Sequence, residues 1–192
     1  MEACNIGFAF CGSFCTYSRA MEALEEVARR YEHVIPIVSE RSAATDTRFG
    51  NAHDFMREME RICDRRVIES IVKAEPIGPQ KLLDVLVICP CTGNTLAKLA
   101  SGITDSSVTM AAKAHLRNGR PVVVALSTND GLAASARHIG TLLEKKNVYF
   151  VPFRQDDPER KPTSLMADFS RVPAAIEAAR RGEQLQPVLL GS

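Results

Sequence analysis

Val85-Leu86-Val87-Ile88-Cys89 runs directly into Pro90-Cys91-Thr92-Gly93-Asn94-Thr95 and then into Leu96-Ala97-Lys98-Leu99-Ala100. Five consecutive apolar side chains leave no polar face, so the first piece reads as a strand buried on both sides, as central parallel strands are. The turn after it is built from small and hydroxyl residues of the kind that cap helices. Leu96 to Ala100 then read as helix. Strand, hydroxyl-rich turn and helix form the repeating unit of an α/β fold.

The same unit recurs in both directions along the chain. Toward the N-terminus, Ile6, Phe8 and Phe10 alternate with Gly7 and Ala9, a second two-sided strand. A turn at Cys11-Gly12-Ser13-Phe14 follows. Met21, Leu24, Val27, Ala28 and Tyr31 then recur at helical spacing, with Glu22, Glu25, Arg29 and Arg30 off that stripe. Val34 to Val38 reads as the next strand, with Pro36 marking an edge or a bulge because it lacks a donor. Ser39 to Asn51 is expected as a polar loop. Phe55, Met59 and Ile62 mark a short amphipathic helix whose methionines, Met56 and Met59, are expected in the core, and Glu75 to Pro79 is a loop with two prolines.

Toward the C-terminus, Ser106 to Asn118 reads as a helix stopped by Gly119, and Pro121 to Leu126 as another core strand. Leu132 to Lys146 reads as helix, Val148 to Val151 as strand, Arg154 to Pro162 as a charged loop, and Ser164 to Arg181 as a last helix interrupted near Pro173. Alternating strands and helices predict a mostly parallel sheet with helices on both faces. No repeat or linker divides the 192 residues, so residues 1–192 are expected to form one domain.

Composition narrows the function. Lys and Arg number 24 against 23 Asp and Glu, a net charge of +1 without the basic excess of a nucleic-acid-binding surface. The run Val85 to Cys91 is far too short to span a bilayer. The start MEACNIGFAF has no basic residue ahead of its apolar stretch and does not read as an export signal, so a cytoplasmic location is expected. In that reducing compartment Cys4, Cys11, Cys15, Cys63, Cys89 and Cys91 are expected to be buried or incidental thiols. No Cys-x-x-Cys pair or zinc-ligand spacing links them to the four histidines, so no metal site is expected.

In an open parallel sheet, ligands bind beyond the carboxyl ends of the strands. Four strand ends are rich in small and hydroxyl residues: Cys11-Gly12-Ser13-Phe14, Ser39-Glu40-Arg41-Ser42, Pro90 to Thr95, and Ser127-Thr128-Asn129-Asp130. Each alone is an ordinary cap or turn. Four on one rim point to a phosphate-bearing ligand, met by free N–H groups and a helix dipole. Neither a P-loop motif nor a G-x-G-x-x-G fingerprint is present.

Pro90 to Asp105 resembles the P-x-S-A-N-T-x-x-K-x-A-x-G-x-x-D stretch of the cysteine decarboxylase-like flavoproteins, with Gly12-Ser13 resembling their first phosphate turn. Thr45 to Gly50, Ser70 to Pro76, Thr92 to Asn94, Ser127 to Asp130 and Pro152 to Pro158 together resemble one subset of that family almost throughout. The resemblance implies a flavodoxin-like, Rossmann-like three-layer α/β/α fold, an FMN site and a homo-oligomer. It implies that Gly12, Ser13, Phe14 and Ser39 hold the flavin phosphate, and that Thr92, Gly93, Asn94 and Thr95 line the ribityl chain and ring. Asp105 would support the site, and Ser127 and Asn129 would lie near the ring or the substrate.

The subset implies one member of a two-component oxidoreductase of spore-forming bacteria acting on a small cyclic dicarboxylate, with NAD(P) carried by the partner A subunit. Asn94 and Arg48 are then the residues nearest the chemistry, Arg48 as a clamp for a substrate carboxylate. Departures weigh against decarboxylation. The segment where the decarboxylases carry a His reads Glu75-Pro76-Ile77-Gly78, and Ser127-Thr128-Asn129 replaces their P-x-M-N. Gly93 replaces the Ala of S-A-N-T. A non-catalytic partner that only binds substrate is the remaining alternative.

Overall fold

A computed structural model describes residues 2–191. The chain runs β1 (Glu2–Phe10), α1 (Tyr17–Arg30), β2 (Tyr31–Val38), α2 (Glu40–Ala43), α3 (Ala52–Cys63), α4 (Ile71–Ala74), β3 (Val85–Cys91) and α5 (Gly93–Ser101). It continues with α6 (Ser107–Arg117), β4 (Val122–Thr128), α7 (Ala136–Leu143), β5 (Val148–Phe150), β6 (Phe153–Arg154), β7 (Leu165–Ala167) and α8 (Val172–Arg180). Seven strands lie in the order β2-β1-β3-β4-β7-β6, with β5 also on β4. The pairs β1–β2, β1–β3, β3–β4 and β4–β5 are parallel; β7 joins β4 and β6 antiparallel.

This is the doubly wound, flavodoxin-like α/β/α arrangement. Chain order turns back between β1 and β3, so right-handed crossovers place the helices after β1 and after β3 on opposite faces. α1 packs with α8 on one face, α6 with α4 on the other, and α3 lies over the edge strand β2. Every residue of β3 is buried, as the two-sided apolar run requires. β2 is the edge where Pro36 is tolerated, and there the Pro36 carbonyl accepts from the Ile68 N–H at 2.9 Å. Met59 is fully buried and Met56 packs beside it.

Several expected boundaries move, each for a local reason. Tyr31 begins β2 instead of ending α1; its apolar face continues the stripe in either geometry. The loop expected over 39–51 contains α2, capped by Ser39. Residues 75–77 form a 3-10 turn continuing α4. The helix expected from Leu132 begins only at Ala136, because Asp130 gathers residues 128–135 into turns: its carbonyl accepts from the Ala133 and Ser135 N–H groups. The helix expected over 164–181 is three elements: β7, a 3-10 turn at Phe169–Arg171 and α8. β4 outruns the three-residue β5, and β7 covers the exposed stretch at Ser127 and Thr128. Pro173 does not interrupt a helix but sits in the first turn of α8, where its missing N–H costs nothing.

His115, in the last turn of α6, is 1% exposed and its Nε2 donates to the Pro121 carbonyl at 3.0 Å. A helix C-terminus favours an imidazolium, yet burial wins and lowers the pKa from 6.5 to about 4. The unfolded chain therefore binds the extra proton in that window. The neutral ring's contribution is complete above the unfolded value and is lost as pH falls toward the folded one. Stability should drop by about 2 kcal/mol from neutral pH to about pH 4.5 on this account. Denaturant titrations of wild type and His115→Gln across that range isolate it: the wild-type curve should fall more steeply by this amount.

Candidate functional site

The parallel strands β1, β2, β3 and β4 end on one rim, which brings the four hydroxyl-rich turns together. The first turn rests on aromatic rings. Tyr17 meets Phe10, Phe14 and Phe55 at centroid distances of 5.5, 5.1 and 5.2 Å. Ser13 adopts a left-handed conformation, φ 64° and ψ 46°, which costs a non-glycine residue of order 1 kcal/mol. Its surroundings hold it there: its carbonyl accepts from the Thr16 N–H at 2.9 Å and the Thr16 hydroxyl at 2.8 Å, and its Oγ lies 2.7 Å from the Ser127 Oγ.

Thr92 caps α5, its Oγ1 accepting from the Thr95 N–H at 3.2 Å. The first N–H groups of α5 have no partner within the helix and form its positive end. Beneath the turn lies the buried Cys11, whose Sγ donates to the Pro90 carbonyl at 3.1 Å. Hydrogen bonding from the Cys91 thiol, aided by Thr95 and Thr92, outweighs burial and brings Cys11 down to about 7.

Two adjoining cavities open at this rim and share Thr92. One, of about 540 Å³, is lined by Gly12, Phe14, Ser39, Thr92, Asn94, Thr95 and Asp105, with Glu40, Arg41 and Lys98 beside them. The other, of about 400 Å³, is lined by Ser13, Thr92, Gly93, Ser127 and Asn129, with Arg19, Asp156, Lys161 and Met166. The eleven residues assigned to a cofactor from the sequence thus lie on these two walls. Arg48 lies elsewhere. Thr47 and Gly50 close a tight turn whose exposed tip is Arg48 and Phe49, with the guanidinium 4.8 Å over the Phe49 ring, and Arg48 lines neither cavity.

Three features were not legible as site residues. Glu40 follows the β2 turn, and its carboxylate accepts from the Ile71 N–H at 2.7 Å and the Ser107 N–H at 3.0 and 3.1 Å, the first N–H groups of α4 and α6. Lys98, which by sequence reads as a surface or helix-N-terminal contact, pairs with Asp105 at 2.7 Å across the α5–α6 connection. Arg19 and Lys161 come to the smaller cavity from α1 and from the connection between β6 and β7, which no local pattern joins. Gly93 also has a structural reason. A Cβ there would stand 2.6 Å from Thr128 Oγ1, 2.7 Å from Ser135 Oγ and 2.8 Å from Asp130 Oδ1. The Thr128 and Ser135 hydroxyls both donate to Asp130 Oδ1, and the Thr128 hydroxyl leads in holding the Asp130 carboxyl below its usual range.

The donor set suits a phosphorylated flavin. Hydroxyls at Ser39, Ser42, Thr92 and Thr95, the open end of α5 and the Arg41 guanidinium surround one cavity, and a bare glycine edge at Gly93 faces the other. The fold and this rim define a class, and the matching family model, Flavoprotein, covers residues 1–175: the chain belongs to the Flavoprotein family. It is 45% identical over 186 residues to the B subunit of dipicolinate synthase from Bacillus subtilis (strain 168), covering 97% of this chain and 93% of that protein. The crystal structure of the dipicolinate synthase B subunit from Bacillus halodurans C is similar with a TM-score of 0.90 and 44% identity, over 98% of this chain and 97% of that one. The FMN complex of Burkholderia xenovorans DmrB, described as a cubic protein cage for redox transfer, shares the fold at a TM-score of 0.67 and 15% identity, over 92% and 94% of the two chains. Among the described residues no helix is long and apolar enough to cross a membrane.

Proposed function

We propose that this chain is the B subunit of a dipicolinate synthase and takes part in oxidising dihydrodipicolinate to dipicolinate during sporulation, with NAD(P) carried by the partner A subunit. The observation that carries the reading is a rim whose two cavities meet at Thr92, in a chain alike over 97% of its length to such a B subunit. One cavity suits a phosphate ester and the other a small anion, which is what a flavin and a dicarboxylate require.

On this reading Gly12, Ser13, Phe14 and Ser39 hold the phosphate of FMN, and Thr92 to Thr95 line its ribityl chain and ring. Asp105, tied to Lys98, fixes the far wall. FMN when bound supplies a two-electron acceptor. The chain's own residues bind and orient. Ser127 and Asn129 flank the substrate cavity, and Asn94 offers an amide beside the ring without a charge. No His stands at 75–78; that segment is a 3-10 turn with Ile77 buried and Gly78 against Ala114, so the imidazole of the decarboxylases has no counterpart there. Removing a hydride and a proton from a dihydropyridine ring restores aromaticity and asks less of a strong general acid than carbon–carbon cleavage does.

Reconstitution tests the reading. Purified protein is mixed with the dehydrogenase-like partner and freshly generated dihydrodipicolinate, with and without FMN and with each nicotinamide. Dipicolinate should accumulate only when both proteins are present. Absence of product in every combination would overturn the assignment; product from the partner alone at an undiminished rate would also do so.

A further inference from the structure

The smaller rim cavity carries two cations on separate walls. Arg19 lies on the first turn of α1, and its Nη2 sits 3.1 Å from the Met166 Sδ. A thioether is a weak acceptor for a guanidinium, and among the described residues Arg19 makes no ion pair with a carboxylate. Lys161 comes from the connection between β6 and β7. That connection is strapped to the rim: the Thr163 hydroxyl donates to the Asn129 carbonyl at 2.6 Å, and the Ser164 hydroxyl to the Thr128 carbonyl at 3.3 Å. Lys161 is fixed by its own backbone, its N–H donating to the Asp157 carbonyl at 2.8 Å.

One acid, Asp156, also lines the cavity. It stands 3.4 Å from the Lys161 Nζ, at the long end for an ion pair. The Lys161 side chain is 55% exposed and its ammonium carries three donors, so it can meet an incoming carboxylate while keeping Asp156. The Ser13–Ser127 hydroxyl pair and the open start of α5 at Thr92 and Gly93 line the same cavity as the two cations. Arg48, by contrast, already stacks on Phe49 at an exposed turn.

We propose that Arg19 and Lys161 are the specificity-determining residues for a small planar dicarboxylate, each taking one carboxylate, with Arg19 making the bidentate contact. The proposal rests on the functional reading above and deepens it by naming the groups that distinguish a dianion from a monoanion. It places recognition on α1 and the β6–β7 connection, not on the loop that carries Arg48.

The test is calorimetric titration of the FMN-saturated protein, with and without its dehydrogenase-like partner, using dipicolinate and picolinate, which lacks one carboxylate. Wild type should prefer dipicolinate by about tenfold or more. Arg19→Met and Lys161→Met should each lose that preference and bind the two acids alike. Both residues lie at the surface, and unchanged melting temperatures and flavin spectra confirm intact folding and an intact flavin site. Unchanged dipicolinate affinity in both variants would overturn the proposal. So would loss of partner binding with dipicolinate binding intact, which would assign the cations to an acidic segment of the partner. If wild type ignores dipicolinate but takes another small dicarboxylate in a manner needing both cations, the residue assignment holds and the dipicolinate reading falls.

Discussion

Glu40→Ala should lower stability by about 3–5 kcal/mol, a fall in melting temperature of roughly 10 °C for a chain of this size. Glu40 is one side chain that closes three segments. It leaves the end of β2 and accepts from the first N–H groups of both α4 and α6, with a further contact from the Ser107 hydroxyl at 3.4 Å. Truncation leaves two half-buried backbone donors without an acceptor, each worth about 1–3 kcal/mol. It also removes an anion from the positive end of α6. Glu40→Gln keeps one acceptor oxygen and loses the charge, so about half of the penalty is expected. Because Glu40, Asp105 and Ser106 line the same cavity, flavin retention should fall in the same order. Chemical denaturation with flavin absorbance on the purified variants checks both; a Glu40→Ala protein as stable as wild type would show that the helix starts are satisfied by water instead.

Gly93→Ala is the second large effect. Alanine is the better helix former by about 1 kcal/mol and stands at this position in the decarboxylase pattern, so helix propensity considered by itself favours a mild gain. The structure predicts the reverse. The new methyl group would enter the space of Thr128 Oγ1, Ser135 Oγ and Asp130 Oδ1, all inside 3 Å. Moving them breaks the hydrogen bonds from the Thr128 and Ser135 hydroxyls to the Asp130 carboxylate, which lower its pKa and tie down the 128–135 turns. Overpacking of this kind costs about 1–3 kcal/mol, and the network's loss adds to it. A net loss of about 2–4 kcal/mol is expected, with weakened flavin binding because Gly93 begins α5. Thr128→Ala combined with Ser135→Ala removes two of the three obstructing oxygens. Gly93→Ala should then cost less in that background than in wild type, a non-additivity that a double-mutant cycle reads directly. Additive losses would mean that the methyl group is accommodated by movement of α5.

How far the site was legible depended on the range of each signal. Val85 to Cys89 and Val122 to Val124 announce central strands because burial on both faces erases alternation, a pattern contained within five residues. Pro36 announced an edge or a bulge because a strand tolerates a missing donor there, and β2 proved to be an edge of the sheet. The turns at Gly12-Ser13 and Thr92-Gly93-Asn94 were legible because small and hydroxyl residues stand together directly after a strand; Thr92 caps α5 with its own side chain, whereas Ser13 closes its turn through its carbonyl. β7 was not legible, since Leu165-Met166-Ala167 has no strand pattern of its own and pairs only because β4 outruns β5. The start of α7 was missed because turns closed on the Asp130 carbonyl override the helical periodicity from Leu132 onward.

The sequence by itself therefore determined the α/β class, the parallel core and a rim that points to a phosphate-bearing ligand, the flavin being what the family resemblance implied. The class, the core and the rim follow from local periodicity, capping and the absence of donors. Only the tertiary structure decided which charges stand at that rim. Glu40 acts on helix starts 31 and 67 residues away, Lys98 closes on Asp105, and Arg19 and Lys161 meet at one cavity from elements far apart in the chain. A charged side chain leaves no periodic mark on its neighbours in sequence. Its partner is fixed by which strands lie side by side, and that order, β2-β1-β3-β4, exists only once the sheet has formed.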